Sequence, residues 1–146
     1  MNKKILSNNN IKNLLLKLKK QKMKIVLCHG VFDLLHLGHF EHFNKAKELG
    51  DILIVSVSSD RFVNKGPNQP FFSLSERIKS LTNIESINYI IESDQPDAVE
   101  SIKLIKPHFY CKGKDYKNNK DDLTGKIEKE NNILKKNGGK IFFTDE

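Results

Sequence analysis

Five residues able to meet a phosphate or a metal crowd into fifteen positions: Cys28, His29, His36, His39 and His42. The sequence around them is Lys24-Ile25-Val26-Leu27-Cys28-His29-Gly30-Val31-Phe32-Asp33-Leu34-Leu35-His36-Leu37-Gly38-His39. Ile25 to Cys28 is a short, β-branched apolar run, the pattern of a buried strand, and Gly30 breaks it. Past His39, the residues Phe40, Phe43 and Ala46 recur at helical spacing. The stretch therefore reads as strand, tight loop and helix, with two imidazoles where the helix begins. A helix start has unpaired N–H groups and partial positive charge, which suits a phosphate. Gly38 leaves room for a ligand to approach the backbone between the two rings. Zinc is the competing chemistry for such a crowd. Spacing of i, i+3 at a helix start, with no second ligand pair, is poor zinc geometry, and no metal site is assigned. His42, one turn past His39, reads as a helix-face residue, and His108 reads as structural.

The elements that must position these rings follow from patterning. A helix spans about 8–21 and is expected to attach loosely, so residues 1–23 form a helical extension to a domain of 24–146. Ile52 to Val57 is a second buried strand, nearly continuous in apolar residues, as in a parallel sheet covered on both faces. Residues 64–70 are loop, and Ser73 or Ser75 caps a helix running to about Leu81. Strands follow at 88–91, 108–111 and 140–143. Helices are expected from Asp94-Gln95-Pro96 through Ile105 and from Asp121 to Lys136. Strand–helix alternation predicts an α/β chain: a Rossmann-like, doubly wound, parallel five-stranded sheet, with its ligand at the strands' C-terminal ends. His36, Lys65 and the Lys112–Tyr116 loop all follow strand ends, so they should converge on one cleft.

The ten residues from Gly30 to His39 resemble the signature of the cytidylyltransferase-like nucleotidyltransferases, whose core is His-x-Gly-His. In such enzymes a substrate phosphate oxygen attacks the α-phosphorus of a nucleoside triphosphate and pyrophosphate leaves. The protein positions two anions and neutralises charge, with no covalent nucleophile. The resemblance implies that His36 and His39 contact the triphosphate and stabilise the transition state, with Lys65 as a further catalytic phosphate ligand. Gly30, Val31, Phe32, Asp33 and Gly38 would line the nucleotide, Val31 and Phe32 through their amides. Asp33 would either orient the loop or help with magnesium. Arg77 stands where relatives carry an arginine, but could equally pair with Glu76 or Asp60. Lys112-Gly113-Lys114-Asp115-Tyr116 resembles the Lys-Gly-x-Asp-Tyr loop of sugar-phosphate nucleotidyltransferases, which adds Lys112, Gly113, Asp115 and Tyr116 to the nucleotide site. Mg²⁺ would arrive with the triphosphate.

The resemblance covers about Lys24 to Phe143. It is closest to the nucleotidyltransferase domain of bifunctional heptose-phosphate enzymes and of related sugar-kinase fusions. Cys28-His29-Gly30, Asn64-Lys65-Gly66-Pro67 and Asp122-Leu123-Thr124-Gly125-Lys126-Ile127 carry that likeness. It implies transfer from a triphosphate, ATP by preference, to a heptose 1-phosphate-like sugar phosphate. The alternatives are CTP with glycerol 3-phosphate or another polyol phosphate, or a nucleotide-binding module without catalysis. Relatives carry a Ser/Thr-rich motif past the last strand, and here Phe143 is followed by only Thr144-Asp145-Glu146. Gln69 stands where close relatives often have arginine. A longer chain with a sugar-kinase domain is one expectation, and a homodimer another, although no self-complementary surface can be read.

Composition narrows the rest. The 146 residues suit one domain with a real core. A formal charge of +7 invites a nucleic-acid reading. Much of the excess lies on Lys12 to Lys24, alternating with leucines, as on the solvated face of an amphipathic helix. Arginine occurs only at 61 and 77, and no basic–aromatic stripe accompanies it. The expectation is no nucleic acid, with a field that attracts anionic substrates. No run is long and apolar enough for a membrane span or a signal-peptide centre, so a cytoplasmic setting is expected. Cys28 and Cys111 both fall in buried strands and read as packed thiols, not a disulfide.

Overall fold

Residues 2–63, 70–113 and 126–145 are described by the computed structural model. Five strands form one sheet: β1 (Ile25–Gly30), β2 (Ile52–Ser58), β3 (Tyr89–Ser93), β4 (Phe109–Lys112) and β5 (Lys140–Phe143). Their order is β3-β2-β1-β4-β5, and every pairing is parallel. A strand covered on both faces has no polar side to show, which is why β1 and β2 carry near-continuous Ile, Leu and Val. Successive side chains go to opposite faces. Ile25 and Leu27 enter one buried cluster with Ile54, Ile102 and Tyr110; Val26 and Cys28 enter the other with Phe43, Val55 and Cys111. Both cysteines are buried free thiols, as expected.

The helices are α1 (Asn8–Lys20), α2 (Leu37–Glu48), α3 (Leu74–Leu81), α4 (Val99–Ile105) and α5 (Lys126–Lys136). Ser73, of the two serines considered, caps α3, exchanging hydrogen bonds with Glu76 in a capping box. The helix expected from Asp94 begins later, at Val99. Asp97 Oδ1 accepts the Val99 N–H (3.0 Å) and Glu130 Oε2 accepts the Ala98 N–H (2.8 Å), so side chains satisfy the backbone where a longer helix would. Residues 121–125 of the last expected helix lie outside the described residues.

The N-terminal segment corrects an expectation. It is not loosely attached: Ile11 is fully buried and Leu18 nearly so, within the cluster that holds Leu27 and Ile102. Ahead of α1 the chain runs along the outer edge of β3. Leu6 N–H donates to the Ile90 carbonyl (3.0 Å), and Ile90 N–H donates to that of Lys4 (2.8 Å). An edge strand presents unpaired amides, and this segment covers them.

Candidate active site

From β1 the chain steps to β2 and β3 on one side of the sheet, then crosses to β4 and β5 on the other. The winding therefore reverses between β1 and β4, and the crevice beyond the C-terminal ends of these two strands is where a doubly wound sheet takes its ligand. The residues after Gly30 and the residues at Lys112 border it.

His36 is the N-cap of α2, with extended backbone. Its Nδ1 accepts the Gly38 N–H (3.0 Å), and its own N–H donates to His39 Nδ1 (3.3 Å). The two imidazoles thus form a reciprocal capping box, a task that Ser and Glu usually perform. A nitrogen that accepts a backbone N–H carries no proton. Each ring therefore holds its proton on Nε2, the atom at the far end of the ring from the backbone bond. The rings lie 4.3 Å apart, centroid to centroid. Gly38 serves this arrangement differently from the expectation: a Cβ there would lie 2.7 Å from His36 Cε1. The space it leaves is filled by the histidine ring, and the Gly38 amide is capped by that same ring.

Phe32 has φ +52°, in the left-handed region that a bulky side chain rarely adopts. Three contacts hold it there. Its ring packs on Phe43 at 5.1 Å and edge-on to His39 at 6.2 Å. It also lies over Gly30, where a Cβ would come within 2.9 Å of the ring. Strain of this kind costs of order 1–3 kcal/mol and persists where the surroundings over-determine it. Asp33 orients the loop: its two carboxylate oxygens accept the N–H groups of Phe71 and Phe72, the latter at 2.8 Å.

Arg77 leaves its expected place among the nucleotide contacts and takes the alternative also expected of it, a pair with Asp60. Its side chain is buried, and its donors go to protein oxygens. Nε reaches the Phe72 carbonyl (3.0 Å), NH1 those of Val31 and Ser58 (2.8 Å each), and NH2 the Asp60 carboxylate (2.6 Å). A buried guanidinium needs such partners. It ties the signature turn to the end of β2 and the start of α3, so it positions the site from behind.

Lys112 ends β4, its side chain largely buried and its ammonium 5.4 Å over the Tyr110 ring. Gly113 follows it directly. Thr144, which the sequence reading missed, joins this strand to α2: its N–H donates to the Lys112 carbonyl (2.8 Å), and its Oγ1 lies 2.7 Å from His42 Nδ1. A threonine past a strand end gives no sequence signal of such a role. His42 is a residue of the α2 face, as expected, and that face is the buried one. His29 leaves the group altogether, its Nδ1 lying 2.7 Å from Ser56 Oγ. Lys65, Asp115 and Tyr116 lie outside the described residues.

The chain is similar to known proteins. The cytidylyltransferase-like family model matches residues 27–138. The chain is 40% identical over 119 residues to the bifunctional protein HldE of a Nitratiruptor species, covering 80% of this chain and 26% of that one. It is 41% identical over 117 residues to HldE of Helicobacter hepaticus, covering 79% and 24%. The chain thus spans about a quarter of the length of the curated relatives it matches. A lipopolysaccharide core biosynthesis protein from Thermoplasma volcanium superposes with a TM-score of 0.65 at 26% identity, covering 83% of this chain and 93% of that one. Pantoate-beta-alanine ligase from Francisella tularensis shares the fold at 16% identity, with a TM-score of 0.61 and coverage of 96% and 66%. With the signature, the paired imidazoles and the switch-point location in agreement, the chain belongs to the cytidylyltransferase-like family of nucleotidyltransferase enzymes.

Proposed function

We propose that the chain transfers the nucleotidyl group of a magnesium-bound nucleoside triphosphate to a sugar phosphate and releases pyrophosphate. The observation that carries this reading is the His36–His39 capping box, which commits both Nδ1 atoms to the backbone and leaves both protons on Nε2. Two N–H donors at a helix start suit the charge that grows on the leaving pyrophosphate. The acceptor's phosphate oxygen attacks the α-phosphorus, the bond to the β-phosphate oxygen breaks, and no enzyme side chain need become covalently attached. Arg77 and Asp33 keep the turn in place, and the Lys112–Gly113 end of β4, the strand beside β1, would line the other side of the crevice.

ATP and a heptose 1-phosphate-like sugar are the favoured pair, supported by the two bifunctional HldE relatives. A sugar kinase, on this chain's longer form or beside it, would supply the acceptor. The test is pyrophosphate release with ATP and CTP, each offered heptose 1-phosphate and glycerol 3-phosphate. Turnover with ATP and the heptose phosphate is expected; turnover only with CTP and glycerol 3-phosphate would overturn the substrate pair. Replacing His36 or His39 by alanine should lower turnover about 10²–10³-fold, the usual cost of one positioned donor. Near-wild-type rates in either variant would remove the two rings from the chemistry.

A further inference from the structure

Cys28 and Cys111 stand on neighbouring strands. Val26 pairs with Phe109 and Leu27 with Tyr110, so the next step of the register sets the two cysteines side by side. Both enter the cluster that packs beneath α2 with Phe43 and Ala46, and His42 comes down from α2 onto the same spot. One ligand atom from each of the three residues lies within 4.8 Å of the other two. Relative exposures are 0% for Cys28, 1% for Cys111 and 9% for His42. We propose that Cys28, Cys111 and His42 bind a zinc-class divalent cation beneath the floor of the nucleotide cleft.

Two sulfurs and an imidazole are a borderline-soft donor set, the kind that zinc prefers to oxygen ligands. Zn–S bonds of about 2.3 Å put tetrahedral sulfurs about 3.8 Å apart, so donors now within 4.8 Å close by about 1 Å at most. Two thiolates neutralise a divalent ion, and the complex sits in the apolar core without net charge. Ligation exchanges two thiol protons, released to solvent, for one ion. The outer partner is in place as well. Thr144 Oγ1 engages His42 Nδ1, which orients the ring and assigns Nε2 as the ligand nitrogen. The fourth tetrahedral position is left to a non-protein ligand, as in zinc sites that keep a water.

This set differs from the crowd of residues in the sequence. His29 turns to Ser56, and His36 and His39 cap α2 in the cleft. Cys111 enters only because β4 lies beside β1. The ion would pin together β1, α2 and β4, the three elements that carry Gly30, His39 and Lys112.

Cobalt titration of the full chain, purified reduced and stripped of metal, tests the assignment independently of turnover. Saturation at about one ion per chain is expected, with a near-ultraviolet thiolate-to-cobalt band and the visible absorption of tetrahedral cobalt. Cys111→Ser should abolish the band, and Thr144→Val should weaken binding about 10–100-fold, the usual cost of losing an outer-shell partner. The double variant His36→Ala/His39→Ala should keep the band in full. Absence of a thiolate band in the wild-type chain, or its loss in that double variant, overturns the proposal. Neither outcome depends on Cys111→Ser folding.

Discussion

At the residue scale, His36 performs two tasks that substitution can separate. Its Nδ1 caps α2, which leaves Nε2 to carry the proton. Alanine removes both, so the expected activity loss comes with about 1 kcal/mol of lost stability, the usual worth of an N-cap. Asparagine caps nearly as well as any residue. His36→Asn should therefore keep wild-type stability in urea unfolding while turnover still falls about 10²–10³-fold. If the Asn variant regained activity along with stability, capping alone would explain the histidine. Gly38 makes the complementary case. An alanine Cβ would lie 2.7 Å from His36 Cε1, so the ring must move, although alanine itself favours the helix. Thermal unfolding of Gly38→Ala should come no lower than wild type, while kcat/KM drops about a hundredfold, as misplacement by about an ångström can cause. Unchanged kcat/KM would mean that the ring's position does not matter to the reaction.

At the element scale, the site depends on how strand ends are joined, and Arg77 and His108 do the joining at opposite ends of the sheet. Arg77→Met strips hydrogen bonds from the Val31, Ser58 and Phe72 carbonyls and leaves Asp60 unpaired. Removing one partner of a buried charged network costs about 3–5 kcal/mol. Asp60 is half-exposed and rehydrates, so the lower end, about 3 kcal/mol, is expected from urea unfolding. Arg77→Lys should recover little, because one ammonium cannot span four acceptors on separate segments. A loss under about 1 kcal/mol in Arg77→Met would contradict this positioning role. His108 joins β4 to β1, its Nδ1 accepting the Ile25 N–H (3.0 Å). Burial, and then the Lys24 charge, hold its pKa below the ordinary 6.5. The unfolded chain therefore takes up this proton first as pH falls, so the contribution is complete above pH 6.5 and is lost on descent through the lowered folded value. His108→Gln removes the proton site, and its stability should decline less than wild type between neutral and mildly acidic pH. Parallel stability–pH curves for the two proteins would rule this linkage out.

At the scale of the whole molecule, the first twenty residues complete the fold. Ile11 and Leu18 sit in the central cluster, and the Lys4–Leu6 segment covers the β3 edge. Burying an Ile or Leu side chain is worth about 1.5–3 kcal/mol. Deleting residues 2–21 should thus cost at least about 3 kcal/mol and leave a chain that self-associates through its bared edge. Denaturant unfolding and sedimentation read the two effects separately, and a monomeric deletion variant of wild-type stability would return α1 to the status of an appendage. No helix among the described residues is long and apolar enough to cross a membrane.

What sequence determined by itself was local. Apolar runs in β1 and β2 marked buried parallel strands, Ser73 or Ser75 marked a helix start, and Gly30 to His39 marked a strand–turn–helix with two imidazoles at its bend. Each is legible because its cause lies within a few residues along the chain: side-chain periodicity, capping and steric freedom. Tertiary structure decided the rest. Arg77 read equally as a ligand contact or as a partner of Glu76 or Asp60, since no short stretch reveals that the Val31, Ser58 and Phe72 carbonyls surround it together with Asp60. Thr144 and His42 meet across 102 residues. Cys28 and Cys111 become neighbours through strand order alone. Strand order, set by which faces and edges can be buried together, fixes which distant side chains meet, and that does not depend on sequence spacing.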